Sequence, residues 1–242
     1  LKLCGATDGL PVVLFFTPRW TSLCAALARA DADVYYQNCG EYVTGQVALW
    51  CRLHHRAFVY STASDADCDG SLPLMPELRV RAFYRTGVRL ADRIIVQTGR
   101  QQRMFAQGFS RDATIIAMPC EPSGFDASKA GVQNRRTVLW IGRICEVKRP
   151  DRFLDAAALT PELEFVLIGP DDDRPEYTRS IRAKAAALPN VTLYGPASRA
   201  EIGKFLDDCA CLCCTSDHEG FPNTFLEAWS HGRPIVSTWD PD

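Results

Sequence analysis

Two carboxylates, Glu219 and Glu227, stand eight residues apart around a Gly220-Phe221-Pro222 turn. The apolar run 211–214 before them reads as a buried strand, and 234–237 after them as another; a short helix is expected to start near Asn223. A strand, a turn and a helix start leave backbone N–H groups aimed at one place, an arrangement that suits an anionic ligand. Pro222 has no N–H, so the usable donors are those of Phe221, Asn223 and Thr224. The two carboxylates can then accept hydrogen bonds from hydroxyls on the same ligand. Taken singly, Glu227 is an ordinary surface helix residue and Glu219 an ordinary turn residue.

Positive charge arrives from a different stretch. Gly142 marks the end of an expected strand at 137–141, which places Arg143 at the carboxyl edge of a sheet. Lys148 follows five residues on, just before a helix opened by Pro150. A guanidinium fork takes two oxygens and an ammonium acts as a point charge, so the pair suits a diphosphate. The competing reading is two solvated cations near a helix start. Neither G-x-G-x-x-G nor G-x-x-x-x-G-K-[ST] occurs, which argues against nicotinamide, flavin and P-loop chemistry. Asp171, Asp172 and Asp173 follow Gly169-Pro170 and read as a solvated turn in preference to a divalent-cation site. No metal and no cofactor is expected.

The elements that must position these residues alternate. In the first half, 12–16, 34–36, 58–60, 93–97 and 113–117 read as strands, and 23–30, 46–53, 77–91 and 100–107 as helices, with a loop over 64–71. In the second, strands at 137–141, 164–168, 191–193, 211–214 and 234–237 alternate with helices at 150–159, 176–188, 198–207 and from Asn223. Such alternation gives parallel sheets covered on both faces. Residues 119–136, with Pro122, Gly124 and Gly131, read as a linker. The expected organisation is two Rossmann-like doubly wound α/β domains facing a cleft, 1–125 and 126–242, the boundary lying near residue 125.

The bulk numbers agree with a soluble globular protein. Of 242 residues, 47% are hydrophobic and 23% charged, and the net charge is −2, which argues against a general nucleic-acid binder. The charge is uneven. Residues 1–120 hold 13 Lys/Arg against 10 Asp/Glu (+3), and 121–242 hold 14 against 19 (−5). The eleven cysteines show no zinc-type pairing, and Cys209, Cys211, Cys213 and Cys214 read as small core hydrophobes, which favours a reducing cytoplasm. No run is long enough for a membrane span. The chain starts at Leu1 and stops directly after a strand, so a piece trimmed at both ends is expected.

Gly142-Arg143 with Lys148-Arg149-Pro150, joined to the run from Glu219 through Glu227 to Ala228 and then His231-Gly232-Arg233-Pro234, resembles the donor-binding domain of family 4 glycosyltransferases. These are retaining enzymes of the GT-B fold, and the likeness runs from about 137 to 240. The resemblance implies that Arg143 and Lys148 hold the diphosphate of a nucleotide sugar (UDP- or GDP-linked). It gives Glu219 the donor-sugar hydroxyls, the N–H groups after Gly220 the phosphate or sugar oxygens, and Glu227 the ribose. The implied reaction is transfer to a hydroxyl acceptor such as a glycan, lipid or polysaccharide precursor, with Arg143, Lys148 and Glu219 as catalytic residues. The alternative is a nucleotide-sugar-binding module without turnover. Residues 195–198 are the expected base-reading loop.

Two departures stand out. The glycine-rich loop usual near the start of the first domain is not seen. Where many members carry a His after the strand at 59–62, this sequence has Ala63, Ser64 and Asp65, leaving Asp65 and Asp67 as speculative stand-ins. His54 and His55 read as polar helix caps. Arg81, Arg85, Arg89 and Arg93 recur every four residues as a basic stripe along the long helix. That stripe is either a solvated face or a peripheral contact with an anionic inner membrane face.

Overall fold

A computed structural model describes residues 19–120 and 135–240. The chain divides into two compact units, Leu1–Ile116 and Ala117–Asp242. The expected strand at 12–16 and the expected boundary near residue 125 lie outside the described residues.

In the first unit the elements run α1 (Arg19–Ala30), β1 (Val34–Asn38), α2 (Tyr42–Leu53), β2 (Ala57–Ser61), α3 (Asp65–Cys68), α4 (Leu78–Leu90), β3 (Arg93–Val96), α5 (Gly99–Phe109) and β4 (Thr114–Ile115). The described strands form a parallel sheet in the order β1-β2-β3-β4. Phe58, Tyr60, Ile94 and Val96 from the sheet pack with Val47, Tyr84, Val88 and Phe105 from the helices in one core. Helices α2 and α4 cross at near backbone contact. A Cβ on Gly45 would lie 2.2 Å from the Phe83 carbonyl oxygen, and one on Gly87 would lie 2.6 Å from that of Thr44.

Two expectations are corrected here. The stretch 64–71 is not all loop. Ser64 and Asp67 form a reciprocal capping box that closes the single turn α3, a local hydrogen-bond pattern that composition alone hides. The basic stripe is not continuous either, because α4 ends at Leu90 and Arg93 lies on β3. Arg81 donates to the Met75 carbonyl and Arg85 to that of Gly70, so two of the stripe's cations cap local backbone.

The second unit runs β5 (Thr137–Ile141), a 3-10 turn (Glu146–Lys148), α6 (Pro150–Leu159), β6 (Glu164–Ile168), α7 (Pro175–Ala186), β7 (Val191–Gly195), α8 (Arg199–Asp208), β8 (Cys211–Cys214), α9 (Asn223–Ser230) and β9 (Ile235–Ser237). Its parallel sheet has the order β7-β6-β5-β8-β9. The central strands β5, β6 and β8 are covered on both faces and read as apolar runs instead of alternating, whereas the edge strands β7 and β9 carry exposed residues. Val138 and Trp140 meet Phe153, Leu154 and Ile181 on one face. Leu139 meets Leu206, Leu212 and Phe225 on the other. The helix starts are written locally: Pro150 and Pro175 occupy first-turn positions. Ser198 and Glu201 form a capping box for α8.

The strand order reverses at β5. The chain winds outward through β6 and β7, then crosses back to place β8 on the other side of β5. Loops leaving β5 and β8 therefore diverge, and the crevice outside their carboxyl ends is where open α/β sheets bind ligands. Among the described residues, no helix is long and apolar enough to cross a membrane.

Candidate donor site at the switch between β5 and β8

The two sequence-distant halves meet at this reversal. Neighbouring strands lie about 4.8 Å apart, so the loop after β5 and the loop after β8 leave the sheet side by side. Lys148 Nζ, at the end of the 3-10 turn, lies 2.5 Å from Glu219 Oε1. The Glu219 side chain is 11% exposed and that of Lys148 is 32% exposed. Ser216 Oγ donates to the same carboxylate oxygen at 2.6 Å.

Several further bonds tie the two loops. Thr215 Oγ1 donates to the Lys148 carbonyl at 2.9 Å and accepts from the buried Trp140 indole N–H at 3.0 Å. The Asp217 N–H donates to the Val147 carbonyl at 2.9 Å. The Asp217 carboxylate pairs with Arg149 at 3.3 Å and with Arg152 at 2.7 Å. Arg149 is left-handed (φ 50°, ψ 50°), a conformation uncommon outside glycine, and it joins the 3-10 turn to α6. Its guanidinium grips Asp151 at 2.7 Å. That grip raises the Arg149 pKa and lowers that of Asp151. Burial and the Asp151 charge push Tyr177, behind the cluster, up to about 12.

Arg143 sits at the carboxyl end of β5 as expected, 62% exposed, with Asp172 at 3.8 Å. That separation exceeds a hydrogen bond, so the guanidinium is only loosely held. Two carboxylates of the acidic triplet face cations: Asp171 receives Arg182 at 2.9 and 3.0 Å, and Asp172 faces Arg143. Among the described residues no group of three or more His, Cys, Asp or Glu gathers as metal ligands. Gly169 lets the loops after β5 and β6 touch. Its φ is +148°, and a Cβ there would lie 1.7 Å from the Gly142 carbonyl oxygen.

On the β8 side, Gly220 and Pro222 are buried, and Pro222 is the residue before α9. The first-turn N–H groups of Asn223 and Thr224 have no intrahelical acceptor, as at any helix start. Glu227 lies half-buried one turn further along α9. Residues 195–198 leave β7, two strands from β5 in the sheet order, and Gly195 accepts from the Gly169 N–H at 2.9 Å.

In the first unit, Asp65 and Asp67 are both buried. Asp67 Oδ2 accepts from the N–H groups of Ala63 at 2.8 Å and Ser64 at 3.3 Å. Burial raises its pKa despite these bonds. It caps the turn after β2. Asp65 pairs with Arg100 at 3.1 Å. His54 occupies the C-cap position of α2, where its ring stacks on Trp50, centroids 4.3 Å apart.

Sequence reasoning did not single out Thr215, Ser216 and Asp217, which tie together the loops carrying Lys148 and Glu219, or Arg152, which pairs with Asp217. The available signal was a Thr-Ser-Asp run directly after a buried strand, where polar side chains at a sheet edge have partners to satisfy.

The family model described as "Glycosyl transferases group 1" matches residues 135–240. The chain is 26% identical over 247 residues to the D-inositol 3-phosphate glycosyltransferase of Mycobacterium sp. (strain KMS), covering 90% of this chain and 56% of that protein. The M. tuberculosis (strain ATCC 25177 / H37Ra) protein of the same name is also 26% identical, with 51% of its length covered. This chain thus spans about half the length of the curated relatives it matches. Among solved structures, Anabaena Alr3699/HepE in complex with UDP and glucose superposes with a TM-score of 0.70 at 18% identity, over 94% of this chain and 64% of that one. Sucrose-phosphate synthase from Thermosynechococcus elongatus gives 0.75 at 18% identity, over 98% and 64%. Residues 135–240 are thus similar to the glycosyl transferases group 1, and the chain has the α/β architecture of the GT-B glycosyltransferases.

Proposed function

We propose that the protein transfers a sugar, with retention, from a UDP- or GDP-linked donor to a hydroxyl acceptor such as a glycan, lipid or polysaccharide precursor. The observation that carries this reading is the meeting of Lys148 and Glu219 at 2.5 Å, from loops on either side of the strand-order reversal. A cation for phosphate and a carboxylate for hydroxyls lie side by side where a nucleotide sugar joins those two chemistries.

In this reading Arg143 and Lys148 hold the diphosphate and stabilise the charge that grows on it as the glycosidic bond breaks. Glu219 accepts from donor-sugar hydroxyls. The N–H groups of Phe221, Asn223 and Thr224 contact phosphate or sugar oxygens, and Glu227 takes the ribose hydroxyls. The leaving phosphate serves as base for an acceptor attacking on the same face, so no protein nucleophile is required. The first unit is assigned to the acceptor. The UDP complexes of Anabaena HepE support testing UDP donors first.

Nucleotide release from UDP- and GDP-sugars, measured with an acceptor panel, tests the proposal. Lys148→Ala is expected to abolish release, and turnover unchanged in that variant refutes the mechanism. Calorimetric binding of a nucleotide sugar with no turnover under any acceptor favours the binding-module alternative.

A further inference from the structure

We propose that Thr215 and Ser216, the hydroxyl pair directly after β8, are positioning residues that serve the two halves of the donor site separately. Thr215 sets the backbone that presents Lys148, and Ser216 sets the carboxylate of Glu219. The inference rests on the donor reading above. Successive residues leaving a strand point to opposite sides, and here the two hydroxyls take different partners accordingly.

The hydrogen-bond chemistry leaves each hydroxyl one arrangement. An indole N–H only donates and a carbonyl only accepts. The Thr215 hydroxyl must therefore accept from Trp140 at 3.0 Å and donate to the Lys148 carbonyl at 2.9 Å. Trp140 is 2% exposed on the central strand β5, so the anchor is fixed in the core. The chain Trp140–Thr215–Lys148 thereby transfers the rigidity of the sheet to the end of the 3-10 turn. An ionised carboxylate only accepts, so the Ser216 hydroxyl donates to Glu219 Oε1 at 2.6 Å. Lys148 addresses the same oxygen. Glu219 Oε2 takes no part in these two bonds, which leaves it for a ligand hydroxyl. Thr215 and Ser216 are each 4% exposed. Neither touches the ligand in this scheme; both act through a neighbour.

Three variants of the full chain separate the two roles. Thr215→Val keeps the shape but strands a buried N–H and a carbonyl. It should weaken binding of UDP alone about tenfold and speed amide exchange across residues 145–149 of the ligand-free protein. Thr215→Ser restores both hydrogen bonds and should return both readouts to within about twofold of the parent. Ser216→Ala should leave UDP affinity unchanged while raising KM for the sugar nucleotide, since only the sugar half loses its support. A merely structural role predicts equal losses for UDP and UDP-sugar in both variants, and that result overturns the inference. Unchanged amide exchange in Thr215→Val also overturns it. Should the parent bind neither UDP nor GDP, the donor reading falls alone, because exchange at residues 145–149 still decides whether Thr215 fixes the loop.

Discussion

Removing either partner of the Lys148–Glu219 pair should cost stability unequally. At the 2.5 Å separation, unit charges attract by roughly 7 kcal/mol at an effective dielectric of about 20, before desolvation and screening are charged against them. Fully exposed pairs retain about 0.2–1 kcal/mol of such attraction, whereas stripping one partner from a buried pair costs about 3–5 kcal/mol. Glu219, with its side chain 11% exposed, is near the buried case, and Lys148, at 32%, stands between the two. Lys148→Met leaves a nearly buried carboxylate supported by Ser216 alone, and we expect a loss of about 2 kcal/mol. Glu219→Gln keeps a carbonyl oxygen for Ser216 and leaves an ammonium with ready access to water, so the loss should stay below about 1 kcal/mol. The double variant should show a coupling of about 1 kcal/mol.

Urea unfolding of the parent, both single variants and the double variant gives these values directly, with unchanged slopes as the check that the unfolded state is the same. The asymmetry is the decisive feature. Equal losses from the two single variants, or a coupling within error of zero, would show that the contact is a solvated surface pair without electrostatic consequence. A ligand arm adds a second reading. UDP at about a hundred times its Kd should stabilise the parent by about 2.7 kcal/mol, and Lys148→Met should lose most of that increment.

Two other expectations follow from particular contacts. Gly45→Ala places a Cβ 2.2 Å from the Phe83 carbonyl oxygen; forcing α2 and α4 apart should cost about 1–3 kcal/mol in urea unfolding, and a neutral result would show that the crossing is looser than described. The grip of Arg149 holds the Asp151 carboxyl below the usual carboxylate range in the folded chain. Its contribution is complete above the unfolded value and is lost as pH falls through the lower folded one, so Asp151→Asn should flatten the acid limb of the stability profile.

Much of the second unit could be read from its sequence, because the central strands are apolar runs and the helices α6, α7 and α8 start at Pro150, Pro175 and a Ser198 cap. The strand 137–141 and the helix opened by Pro150 emerge with the bounds expected. Lys148 and Glu219 are 71 residues apart in sequence, and only the joint resemblance linked them. What stayed hidden depends on tertiary partners. The left-handed turn at Arg149 has no glycine to announce it, and its guanidinium partners lie far apart in sequence, Asp151 in the first turn of α6 and Asp217 in the loop after β8. In the first unit, 64–71 reads as loop by composition, while a reciprocal cap at Ser64 and Asp67 makes a helical turn. The four-residue spacing of Arg81, Arg85, Arg89 and Arg93 misled because it runs on past the helix end, itself expected near 91, onto the strand that carries Arg93.

The ion pair also bears on how a diphosphate would enter. An unpaired Glu219 beside the phosphate position would repel the ligand, since like charges a few ångströms apart in a half-dry site cost several kcal/mol. Pairing with Lys148 cancels that field in the ligand-free chain. A lysine suits the exchange because its ammonium swings on a flexible stem, while the Thr215 bond holds the backbone beneath it. Lys148 can therefore pass from Glu219 toward phosphate without the loop moving, as Glu219 turns from an ammonium to sugar hydroxyls. Arg143, 62% exposed and 3.8 Å from Asp172, can add a second charge at little cost in broken contacts. An arginine at position 148 would hold Glu219 in a bidentate fork, and Lys148→Arg should for that reason impair nucleotide release even though charge is conserved. Full activity in Lys148→Arg would show that the site needs a cation there but not its mobility.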